Sequence, residues 1–337
     1  MLAALQVTRL AYTVRPPSVG LSHGRARLAA SVRCSSTTAG TTVIPGLASI
    51  VDKYDAVLLD QFGVLHDGQR ALEGAEDCFK QLAAAGKKLV VLSNTSRRRD
   101  FAMRKLPGLG FDPEELLGFV CSGEEAWAAM GEMRGKRVLW ISWSDDFQAW
   151  QPDYLDGLGL TLAPAAEADF VLCHGSMVLR DGSAEPAPTD LLESGVPSQQ
   201  LLEALRECEA RGLPMLCANP DIHVTLPTGQ RGHMPGLVAR LYEELGGAVT
   251  YYGKPHPPAF AACLELLGTE VDPSRVLMVG DSLAHDVAGA NAAGIHSLFV
   301  TGGIHEEECG DLRPEALERA FDTHDARPTY TAGAFVW

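Results

Sequence analysis

Apolar positions along the chain repeat with two alternating periods. From Ala56 a short run, "AVLL", leads into Asp60, and Gly63 marks a turn just beyond. A buried strand there delivers a carboxylate to its C-terminal tip. Ala75, Cys78, Phe79 and Leu82 then recur at i, i+3, i+4 and i+7, with Gly86 as a stop, which predicts an amphipathic helix. The second strand is "KLVVLSN", Lys88 to Asn94, apolar until it ends in a hydroxyl and an amide, and "GFVCSG" is a further strand-like run. Short apolar strands alternating with amphipathic helices predict a parallel α/β sheet.

From about Glu124 the pattern changes. "KRVLWISW", "ADFVLCHGS" and "LPMLCANPD" read as strands, separated by the Pro-, Ala- and Gly-rich connections "PAAEA" and "DGSAEPAPTD". This predicts a second α/β unit inserted into the first and ending near "TGQRGHMPG". The first pattern then resumes with a helix around Leu237 to Leu245, "VTYYGKP", the helix "PAFAACLELLG", the strand "RVLMVGDS", the helix "DVAGANAAG" and the strand "SLFVTGG". The expected organisation is a tail over 1–45, a core over 46–123 and 234–337, and an inserted cap domain over 124–233.

Charge narrows the functions open to such a chain. The 337 residues carry a formal net charge of -15, which argues against nucleic acids and anionic membranes, because a phosphate-tracking surface needs a basic excess. No stretch reaches the roughly 18 apolar residues of a membrane-spanning helix. Residues 1–51 differ from the rest: Arg9, Arg15, Arg25, Arg27 and Arg33 occur among many Ser and Thr, and the first acidic residue is Asp52. That is a transit-peptide composition, with a plain disordered tail as the alternative. The Ser/Thr richness and "VRCSS" point to the chloroplast, with the mitochondrion second. The eight cysteines are scattered without a CxxC pair, as expected of small buried residues in a reducing compartment.

Three strands of the first unit finish in polar residues: Asp60, then Ser93 with Asn94, then Asp281. In an open parallel sheet the carboxyl ends of the strands form the ligand crevice, so these groups should converge. "VLMVGDSLAHD" adds Asp286 at the start of the following helix. Its simplest role alone would be to favour the helix dipole. Several carboxylates around one point repel each other unless a hard cation sits among them, and Mg²⁺ takes oxygen ligands. Lys254 in "YYGKPHPP" is held before a rigid proline. A lone lysine is usually a solvated group, but beside an aspartate and a phosphoryl group it would neutralise charge on both. "SRRR", Ser96 to Arg99, follows the second strand end and reads either as a solvated helix face or as a source of one arginine for an anionic substrate.

The order Asp60, Ser93-Asn94, Lys254, Asp281 and Asp286 resembles the haloacid dehalogenase-like (HAD) hydrolase superfamily over roughly Pro45 to Gly303. The inserted α/β unit, "ANPD" at Ala218 to Asp221 and "GKPHPPAF" resemble the capped class IIA subgroup of phosphatase-like members. The resemblance implies a Rossmann-like core and a phosphatase acting on a small phosphorylated metabolite. It implies Asp60 as the nucleophile that forms an aspartyl-phosphate, Ser93 and Asn94 as phosphoryl-binding groups, and Lys254 as a charge stabiliser. It further implies Mg²⁺ held by Asp60, the backbone carbonyl of Phe62, Asp281 and Asp286, and a homodimer as the expected assembly.

One departure stands out. Phosphatases of the superfamily usually read DxD at the first motif, where the second aspartate protonates the leaving group and later activates water. Phe62 occupies that place and cannot transfer a proton, help that is typically worth about 10²–10⁴-fold in rate. His66 or Asp67 could replace it, although an aspartate before a glycine is more often a turn former. His285 stands where many members carry threonine. Two functions remain open: a Mg²⁺-dependent phosphohydrolase weak on ordinary esters, and a regulatory protein that binds phosphate and metal without turnover. Dehalogenation is disfavoured because it has no need of both Asp281 and Asp286. The chain also lacks a glycine-rich nucleotide loop upstream of Lys254.

Overall fold

The computed structural model describes residues 40–337 except 148 and 227–229. The transit-peptide reading of 1–45 therefore falls mostly outside the described residues. In chain order the strands are β1 (Thr42–Val43), β2 (Ala56–Leu59), β3 (Lys88–Ser93), β4 (Leu116–Cys121), β5 (Arg137–Ser142), β6 (Thr161–Leu162), β7 (Phe170–Cys173), β8 (Val178–Arg180), β9 (Ala187–Pro188), β10 (Met215–Cys217), β11 (His223–Thr225), β12 (Arg231–His233), β13 (Val249–Tyr251), β14 (Val276–Gly280), β15 (His296–Val300) and β16 (Tyr330–Ala332).

The first sheet has the order β1-β16-β15-β14-β2-β3-β4, and every pairing in it is parallel. Its central strands are apolar without interruption because helices cover both faces. Val57, Leu59, Val91 and Val279 point to one face, where they meet Cys78, Phe79 and Leu82 of the helix Ala75–Ala84. Ala56, Leu58, Val90 and Met278 point to the other, against Phe260, Cys263 and Leu267 of the helix Pro257–Leu267. The fold is α/β with a Rossmann-like parallel sheet.

The second sheet runs β13-β10-β7-β5-β8-β9 with β6 beside β5. It is parallel from β13 to β5, and antiparallel where β8 and β9 are added. Both sheets lie within one compact unit, Gly40–Trp337. No helix among the described residues is long and apolar enough to cross a membrane.

Two boundaries differ from those expected. The core does not resume at 234. The helix Pro235–Leu245 buries Val238, Ala239 and Tyr242 against the second sheet, and β13 pairs with β10 as Met215↔Val249 to Cys217↔Tyr251. The chain therefore stays with the second sheet through Tyr251, and the glycine-rich segment around 230 is not the exit. Part of it is the antiparallel β11–β12 pair. At the other end, the tail does not extend to 45. Thr42 and Val43 pair with Tyr330 and Thr331, and Ile44 is buried in the core.

Candidate active site

Because β14, β2 and β3 are consecutive in the sheet, their C-terminal tips bring Asp281, Asp60 and Ser93 to one place. Asp60 is anchored by its own N–H, which donates to the Val279 carbonyl at 2.9 Å. The chain then turns at Gly63, where φ is +83°. A side chain there would be strained by that φ and would also collide with the Asp281 carboxylate, since a Cβ would lie 2.0 Å from Oδ2. Gly280 is required for closeness alone, as a Cβ on it would meet Cγ of Asp286 at 2.1 Å. Asp286 is presented by a single π-turn, Leu283–Val287, a local widening often found at functional sites.

Carboxylate oxygens of Asp60, Asp281 and Asp286 lie within 4.8 Å of one another, and all three residues are buried. Lys254 is 2% exposed and bridges two of them, with Nζ 2.6 Å from Oδ1 of Asp60 and 2.7 Å from Oδ1 of Asp286. Backbone N–H groups hold the rest: Ile304 donates to Asp281 Oδ2 at 2.8 Å, and Ser282 donates to Asp286 Oδ2 at 2.9 Å. Burial raises the Asp60 carboxyl, which the Lys254 ammonium opposes. Burial also raises the Asp281 carboxyl, reinforced by the charges of Asp60 and Asp286. Lys254 would be lowered by burial, but Asp286 and Asp60 carry it above the ordinary lysine range. With all three carboxylates ionised, one ammonium leaves two negative charges uncompensated. An all-oxygen donor set with that deficit fits a hard divalent cation such as Mg²⁺.

Asn94 has a role that the sequence did not reveal. Its Oδ1 accepts from the Lys254 N–H at 2.7 Å, and its Nδ2 donates to the Lys254 carbonyl at 3.0 Å and to Asp221 Oδ1 at 2.8 Å. The side chain clamps the lysine backbone rather than projecting into open space. Ser93 is buried at the tip of β3, where its Oγ accepts from the Thr95 N–H at 3.2 Å. Asp221 follows β10 of the second sheet and also lies 3.4 Å from His285 Nδ1. Through this carboxylate the unit built on the second sheet touches Asn94 and His285, beside the carboxylate trio. The available sequence signal was a carboxylate just beyond a strand's C-terminal end, the rule that singled out Asp60. We expect Asn94→Ala to cost about 1–3 kcal/mol by stranding the buried Lys254 amide and to lower kcat by about 10²-fold through misplacement of the ammonium. Thermal unfolding and steady-state kinetics on the same preparation check both.

At the first motif, the Phe62 side chain is 36% exposed. Its ring lies against Gly68 and meets His66 edge-on, with centroids 6.2 Å apart. Both residues expected as substitutes for the missing acid take part in the turn that follows Phe62. His66 Nδ1 accepts from the Gly68 N–H at 3.1 Å, and burial pushes the ring down to about 4, so it is neutral at physiological pH. Asp67 accepts from the N–H groups of Gln69 and Arg70, both at 2.9 Å, and those bonds hold it below the usual carboxylate range. It is the turn former. In the arginine run, Arg98 forms a two-pronged pair with Glu124 at 2.8 and 2.9 Å and lies over Trp127, so it is structural.

Residues 57–151 match a family model described as haloacid dehalogenase-like hydrolase, and residues 251–332 match one described as HAD-hydrolase-like. The two stretches flank most of the second sheet. Human (Homo sapiens) chronophin is 26% identical, covering 84% of this chain and 92% of its own. Glycerol-3-phosphate phosphatase from Gallus gallus is 28% identical, covering 76% and 82%. The crystal structure of a haloacid dehalogenase-like hydrolase from Brucella suis 1330 superimposes with a TM-score of 0.69 at 28% identity, covering 87% of this chain and all of that one. With the carboxylates, lysine and strand order above, these matches establish that the chain belongs to the haloacid dehalogenase-like hydrolase superfamily, in its capped class IIA subgroup.

Proposed function

We propose that the protein is a Mg²⁺-dependent phosphatase of a small phosphorylated metabolite, with Asp60 as the nucleophile. The observation that carries this reading is the carboxylate trio closed by Lys254. Asp60 Oδ1 sits 2.6 Å from the ammonium, so one charge both holds the nucleophile and faces the phosphoryl group it attacks. The relatives whose printed names are phosphatases support the class of reaction.

Asp60, Asp281, Asp286 and the Phe62 carbonyl would hold Mg²⁺, which supplies positive charge for the transferring phosphoryl oxygens. Asp60 attacks phosphorus, the ester bond to the leaving oxygen breaks, and an aspartyl-phosphate forms; water then releases phosphate and regenerates Asp60. Lys254 stabilises charge that develops in this step. Without a proton donor at position 62, the leaving oxygen departs as its anion. Acyl and aryl phosphates should therefore react faster than sugar phosphates.

The test is phosphate release with Mg²⁺ across acyl, aryl, sugar, nucleotide and cofactor phosphates, with Asp60→Asn as control. Release that disappears in the control, and that falls as the leaving group becomes more basic, is the expected result. Release unchanged by Asp60→Asn would overturn the assignment. No release from the native chain with Mg²⁺ binding intact would favour a regulatory phosphate-binding role.

A further inference from the structure

A second cluster of metal-ligating side chains lies outside the carboxylate trio. His305, Glu308 and His324 each place a ligand atom within 4.8 Å of the others. His305 precedes the short helix Glu306–Cys309, and Glu308 is one turn further on. His324 is the last residue of the helix Pro314–His324. We infer that these three side chains form a second cation site, one that takes a borderline transition ion such as Zn²⁺ and is distinct from the Mg²⁺ position.

The donor set makes the distinction. Two imidazoles and a carboxylate suit Zn²⁺, commonly with water in a remaining position, whereas an all-oxygen set suits Mg²⁺. The ligands are also held before any ion arrives. The His305 and His324 rings meet edge-on with centroids 4.8 Å apart, and the His305 ring packs on Phe299 of β15 at 5.6 Å. Its Nδ1 lies 2.8 Å from Glu308 Oε2, and the Cys309 thiol contacts its carbonyl at 3.5 Å. The His305 side chain is 11% exposed and that of Glu308 40%, so the cluster opens to solvent on the carboxylate side. Glu306, Glu307 and Asp311 surround it in sequence and favour a cation.

The site adjoins the catalytic one through a single peptide unit. Ile304, whose N–H holds Asp281 Oδ2 at 2.8 Å, immediately precedes His305. An ion gripping His305 would fix the loop that positions Asp281.

The test is zinc titration by calorimetry on the full chain in saturating Mg²⁺, with Tm read in parallel. The native protein is expected to bind one equivalent of Zn²⁺ and to gain Tm on doing so. Asp281→Asn should retain that equivalent, whereas His324→Gln and Glu308→Gln should each weaken it at least tenfold while keeping the native circular dichroism. Failure of the native protein to bind would overturn the inference. So would zinc binding that is lost in Asp281→Asn and kept in both ligand variants. The readout does not depend on turnover, so it stands or falls separately from the phosphatase assignment.

Discussion

Phe62→Asp is expected to raise kcat on alkyl phosphate esters by about 10²–10⁴-fold, the usual worth of a positioned proton donor, and to change aryl and acyl phosphates far less. The structure says why the substitution should fold. Phe62 is 36% exposed and rests on Gly68 and the edge of His66 rather than inside the core. A carboxylate at this position remains in contact with water, so the cost of burying an unpaired charge does not arise, and loss of stability should stay below about 1 kcal/mol. Phosphate release from glycerol phosphate and from nitrophenyl phosphate by both forms measures the contrast. Equal acceleration of the two substrates would show that the carboxylate acts by something other than protonating the leaving group.

Lys254→Met should have the largest effect on stability. The lysine is buried between Asp60 and Asp286 at 2.6 and 2.7 Å, and removing one partner of a buried ion pair typically costs about 3–5 kcal/mol. Here the removal leaves three buried carboxylates with no cation. In chelator the variant should melt on the order of 10 °C below the native protein. Mg²⁺ should restore part of the difference, because a ligand at 100 times its dissociation constant adds about 2.7 kcal/mol, and the cation now faces three uncompensated charges. Loss of the ammonium should also lower kcat by about 10²–10³-fold. Thermal melts with chelator and with Mg²⁺, read beside the kinetics, separate the two contributions. A melting temperature that ignores Mg²⁺ would mean that the carboxylates do not bind it.

The sequence carried the core because each central strand is apolar on both faces and ends in a polar residue, a pattern that needs no long-range information. Asp60, Asp281 and Lys254 were legible for the same reason: each sits just beyond a strand. What was not legible depends on pairing partners. That β13 joins β10 is fixed by hydrogen bonds between segments whose local patterns fit either sheet equally well. The three bonds of Asn94 reach across to Lys254 and to Asp221 beyond β10, and no spacing along the chain encodes them. The edge strand β1 is only two residues long, too short for periodicity to register.

The order of the first sheet also determines when a newly made chain can become competent. β2, which carries Asp60, lies between β3 and β14, and its pairing with β14 joins Ala56 to Val276. Everything in the second sheet is synthesised between those two partners. Until β14 emerges, β2 presents an unpaired edge of four buried-type residues, "AVLL", the kind of edge that invites association with other chains. Long-range parallel pairing of this sort is slow to form. The cluster can therefore assemble only once β14 has been made: a fragment ending before Val276 has Asp60 but neither the neighbour that closes its strand nor Asp281 and Asp286.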